Sequence, residues 1–269
     1  MLFRSGSLIA DPLFVDPARH DYHLRPGSPA LRLGFKPFDY SQAGVCGEAA
    51  WLAQAKGADD PLLAIPPLQR FVPIRADFER EPVGKPPREF EVTVGGRGDS
   101  ILVTDETAST GKHSLKITDA PGLRETWLPH LNLKTTCREG HVRNSFAVRM
   151  ELGAIMRFEW RDWNQPDYQT GPSFVLRDGK LLVGGQSWDI PNSQWIHFEV
   201  SAGLGTANTG KWALKAIVPG RLPHEWKELA YTSPRFKMLT WIGFSSEADA
   251  KTIFYLDDFA VDAVRTGHP

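Results

Sequence analysis

The feature that most constrains this chain is a period of two. Apolar residues recur at every second position in one segment after another beyond Phe71, and the last of these is Thr252 to Val261, TIFYLDDFAV. Phe146, Val148 and Met150 alternate with Ser145, Ala147, Arg149 and Glu151. Residues 155–160, 194–200 (QWIHFEV), 211–218 and 239–244 repeat the pattern. Successive side chains of an extended chain point to opposite sides, so each segment reads as a strand with one buried face. Turn formers separate the segments: Asp178-Gly179, Gly184-Gly185, residues 203–205 and Thr209-Gly210. Phe174 to Val183 is the clearest hairpin, because Asp-Gly supplies the positive-φ residues that a tight turn needs. Short strands at roughly 8–15-residue spacing, with almost no helical period, predict an all-β fold: an antiparallel sandwich over residues 75–269.

Composition agrees and removes other classes. The 269 residues include 24 Gly and 21 Pro, which favours turns over long helices. The formal net charge is -1, without the basic face that a nucleic-acid partner requires. No window approaches the roughly 18 apolar residues of a membrane span, so no membrane insertion is expected. Cys46 and Cys137 are the only cysteines, too few for a disulfide framework or a cysteine-based metal site; whether they are bridged stays open. The opening MLFRSGSLIADPLF has neither the apolar core nor the small-residue cleavage site of a signal peptide.

Two shorter regions precede the sandwich. Residues 1–39 alternate short apolar pairs with the turn formers Asp11-Pro12, Asp16-Pro17 and Pro26-Gly27. Leu13 to Val15 and Asp21 to Leu24 read as very short strands, and Ser28-Pro29-Ala30-Leu31 as a brief cap. Such pieces bury no core of their own and need a neighbour to cover them. Residues 40–74 read as a linker, with a short helix near Glu48–Lys56, Gly57 as its stop, and an extended Pro-rich stretch after it.

The run DPLFVDP…DYHLRPGSPALRLGFKPFD resembles the last coil and exit segment of right-handed parallel β-helix proteins that act on polysaccharides. That resemblance implies a longer secreted or periplasmic parent of which this chain is the tail. A second resemblance covers the sandwich. Asp77-Phe78-Glu79, Thr110-Gly111-Lys112-His113-Ser114-Leu115, Trp195-x-His197-Phe198 and Tyr255-Leu256-Asp257-Asp258 follow one another as in jelly-roll carbohydrate-binding modules and concanavalin/laminin-G-like domains. In those modules the matching positions hold a structural Ca²⁺. The resemblance therefore implies Glu79, the Lys112 carbonyl and Asp257 as ligands; hard oxygens suit that ion.

Three sets of residues could carry chemistry. Trp127, Trp160, Trp163, Tyr168 and Trp188 form a candidate aromatic platform, since sugar C–H faces stack on Trp and Tyr. Trp195, Trp212 and Trp241 are expected in the core. Arg149 and Glu151 share one strand face, and Arg157, Glu159 and Arg161 share one face of the next. If those strands are hairpin neighbours, the five charges form one patch, which His197 and Glu199 could join. The patch is either a solvated face or a groove in which arginines meet an acidic or neutral glycan.

Three functional readings follow. The first is a monomeric carbohydrate-binding module, ancillary to a polysaccharide-active β-helix. The second is a lyase or hydrolase working in a polar groove. A hydrolase needs paired carboxylates, for which Glu151, Glu159 and Glu199 are available; a lyase could use Arg149, Arg157, His197 and Tyr168. Neither the laminarinase-type carboxylate run nor the alginate-lyase motifs occur as such, and Gln194 to His197 only echoes one of them. The third reading is a purely structural cap.

Overall fold

The computed structural model describes residues 10–19, 21–39, 47–57, 73–164 and 166–264. The chain divides into two compact units, residues 1–66 and 67–269. In the first unit, β1 (Phe14–Asp16) and β2 (Asp21–Leu24) form an antiparallel hairpin around a single turn of 3-10 helix, Pro17–Arg19. The Phe14 and Tyr22 rings meet edge to face at 5.3 Å. Ser28 then caps the four-residue helix α1 (Pro29–Arg32): its hydroxyl accepts the Ala30 N–H and donates to the Pro12 carbonyl at 2.6 Å. Pro29 stands at the first helical position, where its missing N–H costs nothing. Both short strands fall where the sequence placed them, but they pair with each other antiparallel. Helix α2 (Ala49–Gly57) lies over the predicted helical stretch. No helix among the described residues is long and apolar enough to cross a membrane.

The second unit is the all-β sandwich. Its strands are β3 (Ile74–Ala76), β4 (Glu91–Thr93), β5 (Ser100–Thr104), β6 (Ser114–Thr118), β7 (His130–Cys137), β8 (Gly140–Met150), β9 (Ile155–Asp162), β10 (Gln169–Arg177), β11 (Lys180–Val183), β12 (Gln186–Asp189), β13 (Trp195–Leu204), β14 (Lys211–Ile217), β15 (His224–Ala230), β16 (Leu239–Ser246) and β17 (Ile253–Val264). One sheet has seven strands in the order β12-β11-β10-β9-β16-β7-β4. The other runs β15-β14-β13-β8-β17-β6-β5, with β3 added on β17. All pairings are antiparallel, a jelly-roll-type layout. The closing strand β17 lies between β8 and β6, inside its sheet rather than at an edge. Between the sheets Phe146, Phe158, Phe174, Phe198 and Phe244 pack ring on ring, with centroids as close as 4.9 Å. Truncating one of these to alanine costs about 3–5 kcal/mol. The Asp178-Gly179 hairpin forms as expected, both residues at positive φ between the paired Arg177 and Lys180.

One expectation fails here. Strands β8 and β9 are not hairpin neighbours: β8 pairs β13 and β17, while β9 pairs β10 and β16. Residues 151–154 carry the chain from one sheet to the other. Arg149 and Glu151 are thereby separated from Arg157, Glu159 and Arg161, and the five charges form no single patch. Trp160 is a second correction. It shares its parity with Met156 and Phe158, lies fully buried, and donates its indole N–H to Asn144 Oδ1 at 3.3 Å, so no ligand reaches it.

Candidate functional site

The outer face of the seven-stranded sheet is built from three cross-strand rows. Val175, Arg157, Ser245 and His130 form the first; Ser173, Glu159, Gly243 and Asn132 the second; Thr170, Arg161, Trp241 and Lys134 the third. Gly243 has a steric reason: a Cβ there would stand 2.0 Å from the Trp241 ring, so the indole lies along the sheet over the glycine. Arg161 stacks on this indole at 4.1 Å and on the Tyr168 ring at 4.3 Å. Each contact is worth about 1 kcal/mol when partly desolvated. Glu159 balances its charge at 2.6 Å. Arg157 makes a two-pronged pair with Glu247 at 2.7 and 3.1 Å. Trp241, expected in the core, is buried by this stack on an outer face instead.

His130 stands between Trp127, edge-on at 4.8 Å, and Trp241 at 6.4 Å. Burial, and then the Arg161 charge, pull its pKa below the ordinary histidine value. Both effects favour the neutral ring, and its Nδ1 is buried without a hydrogen-bond partner.

Beside the third row lies a cleft of about 540 Å³ lined by Lys134, Thr135, Thr136, Arg138, Trp163, Asn164, Thr240 and Trp241. A bulge shapes it. The pairings Leu239 to Cys137 and Trp241 to Lys134 leave Thr135 and Thr136 opposite Thr240 alone. An extra residue of this kind bends a strand and re-aims its side chains. The loop holding Trp163 is pinned at its base: Thr240 Oγ1 accepts the Trp163 N–H at 2.9 Å, and the buried Asp162 accepts the N–H groups of Asn164 and Met238. The Trp163 and Tyr168 rings, 4.8 Å apart, are left 52% and 43% exposed.

The outer face of the eight-stranded sheet carries similar residues in another state. Trp195, Arg149, Tyr255 and Lys116 form one row across β13, β8, β17 and β6. Residues 105–113, between β5 and β6, are fastened to this face. Trp195 donates its indole N–H to Thr107 Oγ1 at 3.2 Å, and Tyr255 its hydroxyl to Glu106 at 2.9 Å. Lys116 holds the same Glu106 at 2.6 Å, and Ser109 Oγ lies 3.4 Å from His197 Nε2. Asp257, fully buried, accepts the N–H groups of Ser109 at 2.8 Å and Thr110 at 3.3 Å. Arg149 is paired with Glu151 at 2.8 Å.

Of the predicted ligand residues, the fold thus brings Arg157, Glu159, Trp163 and Tyr168 onto one face. Arg149 and His197 lie on the opposite sheet, under or beside the fastened segment. Trp188 sits on the edge strand β12, packed against His224 and Trp226 of the other sheet's edge strand, and is also absent from the face. The four lyase candidates are likewise divided between the two sheets. Sequence reasoning missed His130, Lys134, Arg138 and the outward Trp241. His130, Asn132 and Lys134 alternate with Leu131 and Leu133, a signal that was there to read.

The expected cation ligands meet as neighbours of one loop. Glu79 Oε1 accepts the N–H groups of Lys112 and His113 at 2.8 and 2.7 Å, which holds its pKa below the usual carboxylate value. Its carboxylate presses on Gly111, at φ +64°. Asp257 takes a third N–H, from Asp258, at 2.7 Å, and burial lifts its pKa to about 6. Asp258, at φ +50° in a bulge, accepts the Thr110 hydroxyl on one oxygen; its other oxygen is buried without a partner. Ca²⁺ wants six to eight oxygens. Here the carboxylates face N–H donors, and Lys112 presents its own N–H. Among the described residues no three acidic, His or Cys side chains group together.

The fold and site together define a two-sheet antiparallel sandwich with exposed aromatic rings beside an open cleft on one outer face. No family model and no curated protein sequence matches the chain. Among solved structures it is similar to an endo-β-1,4-glucuronan lyase from the fungus Trichoderma reesei, with 14% identity, a TM-score of 0.47, and coverage of 65% of this chain and 90% of that one. It is similar also to the CBM22-1 xylan-binding domain from Paenibacillus barcinonensis Xyn10C (17%, TM-score 0.39, coverage 72% and 95%) and to the cellulose-induced protein Cip1 (15%, TM-score 0.47, coverage 73% and 100%).

Proposed function

We propose that the outer face of the seven-stranded sheet binds a polysaccharide, and that the sandwich is an ancillary module of a larger secreted or periplasmic β-helix protein. One observation carries the binding reading. Two adjacent exposed rings, Trp163 and Tyr168, stand beside a cleft whose remaining lining is hydroxyl, amide, indole and cation. Sugar rings need that mixture: a flat apolar surface for the C–H face and donors around it for the hydroxyls. The β-helix part of the reading rests on the DPLFVDP…DYHLRPGSPALRL run alone.

Affinity electrophoresis against a panel of polysaccharides tests the binding. At least one glycan should retard the protein, and Trp163→Ala should weaken the retardation by about tenfold in apparent affinity with an unchanged melting temperature. No retardation by any glycan, with the fold intact, removes the reading. Appearance of unsaturated uronate absorbance that His130→Ala abolishes would replace binding by a lyase activity centred on this imidazole.

A further inference from the structure

We propose that the cleft beside Trp163 is a subsite for the anionic group of a charged glycan, held by Lys134 and Arg138. This rests on the glycan-binding reading and deepens it by naming the class of sugar.

The argument begins with charge placement. Five ion pairs cross or border the outer face of the seven-stranded sheet: Arg157 with Glu247, Arg161 with Glu159, Lys134 with Glu91, Arg177 with Asp178, and Lys180 with Asp189. Four of these cations lie outside the cleft, each matched by an acid. The cleft itself has two cations in its lining and no carboxylate. Arg138 has no ion pair among the described residues. Glu91 reaches Lys134 at 2.7 Å from the edge strand β4, and both side chains are more than half exposed. A pair so open to water is held weakly, so a ligand anion can take the lysine without exposing an unpaired buried charge.

Geometry agrees with charge. The bulge in β7 turns Thr135 and Thr136 into the same space, and Arg138 follows at the turn into β8. Trp163 and Trp241 supply the apolar walls. A pyranose ring against Trp163 would have hydroxyls near Thr136 and Asn164, and an anionic substituent toward the two cations. Charged donors to an anion make shorter and stronger hydrogen bonds than neutral pairs.

The test compares matched glycans by isothermal titration on the full chain at low salt. Polygalacturonate, polyglucuronate and alginate are each set against their carboxyl-reduced, neutral forms, and dextran sulfate against dextran. The charged member of at least one pair should bind about tenfold or more tightly than its neutral partner. Which pair shows the difference tells a uronate carboxylate from a sulfate ester. The advantage should shrink as salt is raised. Lys134→Gln/Arg138→Gln should bind both members of that pair equally, with an unchanged melting temperature, since both side chains are exposed. Equal binding of charged and neutral forms by the unmodified protein overturns the anionic subsite and leaves glycan binding standing. Binding to none of the probes or the neutral panel overturns both.

Discussion

The two outer faces of the sandwich draw on one inventory and use it in opposite ways. The seven-stranded face has Trp163, Tyr168, Trp241, Arg161, Lys134 and His130; the eight-stranded face has Trp195, Tyr255, Arg149, Lys116 and His197. On the first, two rings stand half exposed beside an open cleft. On the second, residues 105–113 lie across the sheet, and Trp195, Tyr255, Lys116 and Asp257 spend their hydrogen-bonding capacity holding them there. Aromatic and basic residues on a sheet therefore do not define a site. What decides is whether their polar atoms are already satisfied from within the chain.

The contrast makes Asp257 the place to break it. Asp257→Ala would leave the N–H groups of Ser109 and Thr110 without their acceptor beneath the fastened segment. The expected loss of stability is roughly 2–4 kcal/mol, the cost of orphaned buried donors, read as a fall in the urea midpoint. Glycan retardation should survive wherever the protein remains folded. Binding lost in the folded variant would mean that the two faces are coupled.

The tryptophans give the paired version. Trp163→Ala should weaken binding by about 1–2 kcal/mol, roughly 5- to 30-fold, and move stability by less than about 0.5 kcal/mol. Trp195→Ala should do the reverse: binding unchanged, and stability down by about 1–2 kcal/mol through the lost indole hydrogen bond and packing. Titration and urea melts on both variants read the two effects independently.

How much of this was legible can be judged from single residues. The strands were, because period two is local. The open face was readable in part: Arg157, Glu159, Trp163 and Tyr168 came from one strand and one loop in sequence. Trp160 alternates with Arg157, Glu159 and Arg161, so its parity turns it inward, which ring content alone does not reveal. Trp241 shows the converse, as Ile242 and Phe244 claim the inner face of β16. The link through residues 151–154 looked like a hairpin because a short Gly-containing turn says nothing of which sheet receives the next strand. The fastening of residues 105–113 was beyond local reading, for it depends on Asp257 meeting Ser109 across the fold.

His130 adds a smaller effect with a definite sign. Its pKa is depressed in the folded protein, so the folded state binds its proton less readily than the unfolded chain does. That contribution to stability is complete above the unfolded value of about 6.5 and is lost as pH falls from there through the lower folded-state value. The stability gap between the natural chain and His130→Gln should narrow or reverse between about pH 7.5 and pH 5.5, as measured by urea midpoints. A gap that stays constant would show that the imidazole titrates normally, and the account of its buried, cation-flanked position would be wrong.

The smallest expected effect concerns the cation. Glu79 Oε1 and Asp257 already accept main-chain N–H groups from Lys112, His113, Ser109 and Thr110, so Ca²⁺ would compete with those donors for two of its expected ligands. Melting temperatures in excess Ca²⁺ and in EDTA should then differ by less than about 2 °C. A larger rise in Ca²⁺, abolished by Asp257→Asn, would mean that residues 105–113 turn their carbonyls inward on binding. The eight-stranded face would then be closed by a cation clamp rather than by hydrogen bonds. The buried, unpartnered oxygen of Asp258 would in that case be the first vacant ligand, and the two faces would differ in metal dependence as well as in cover.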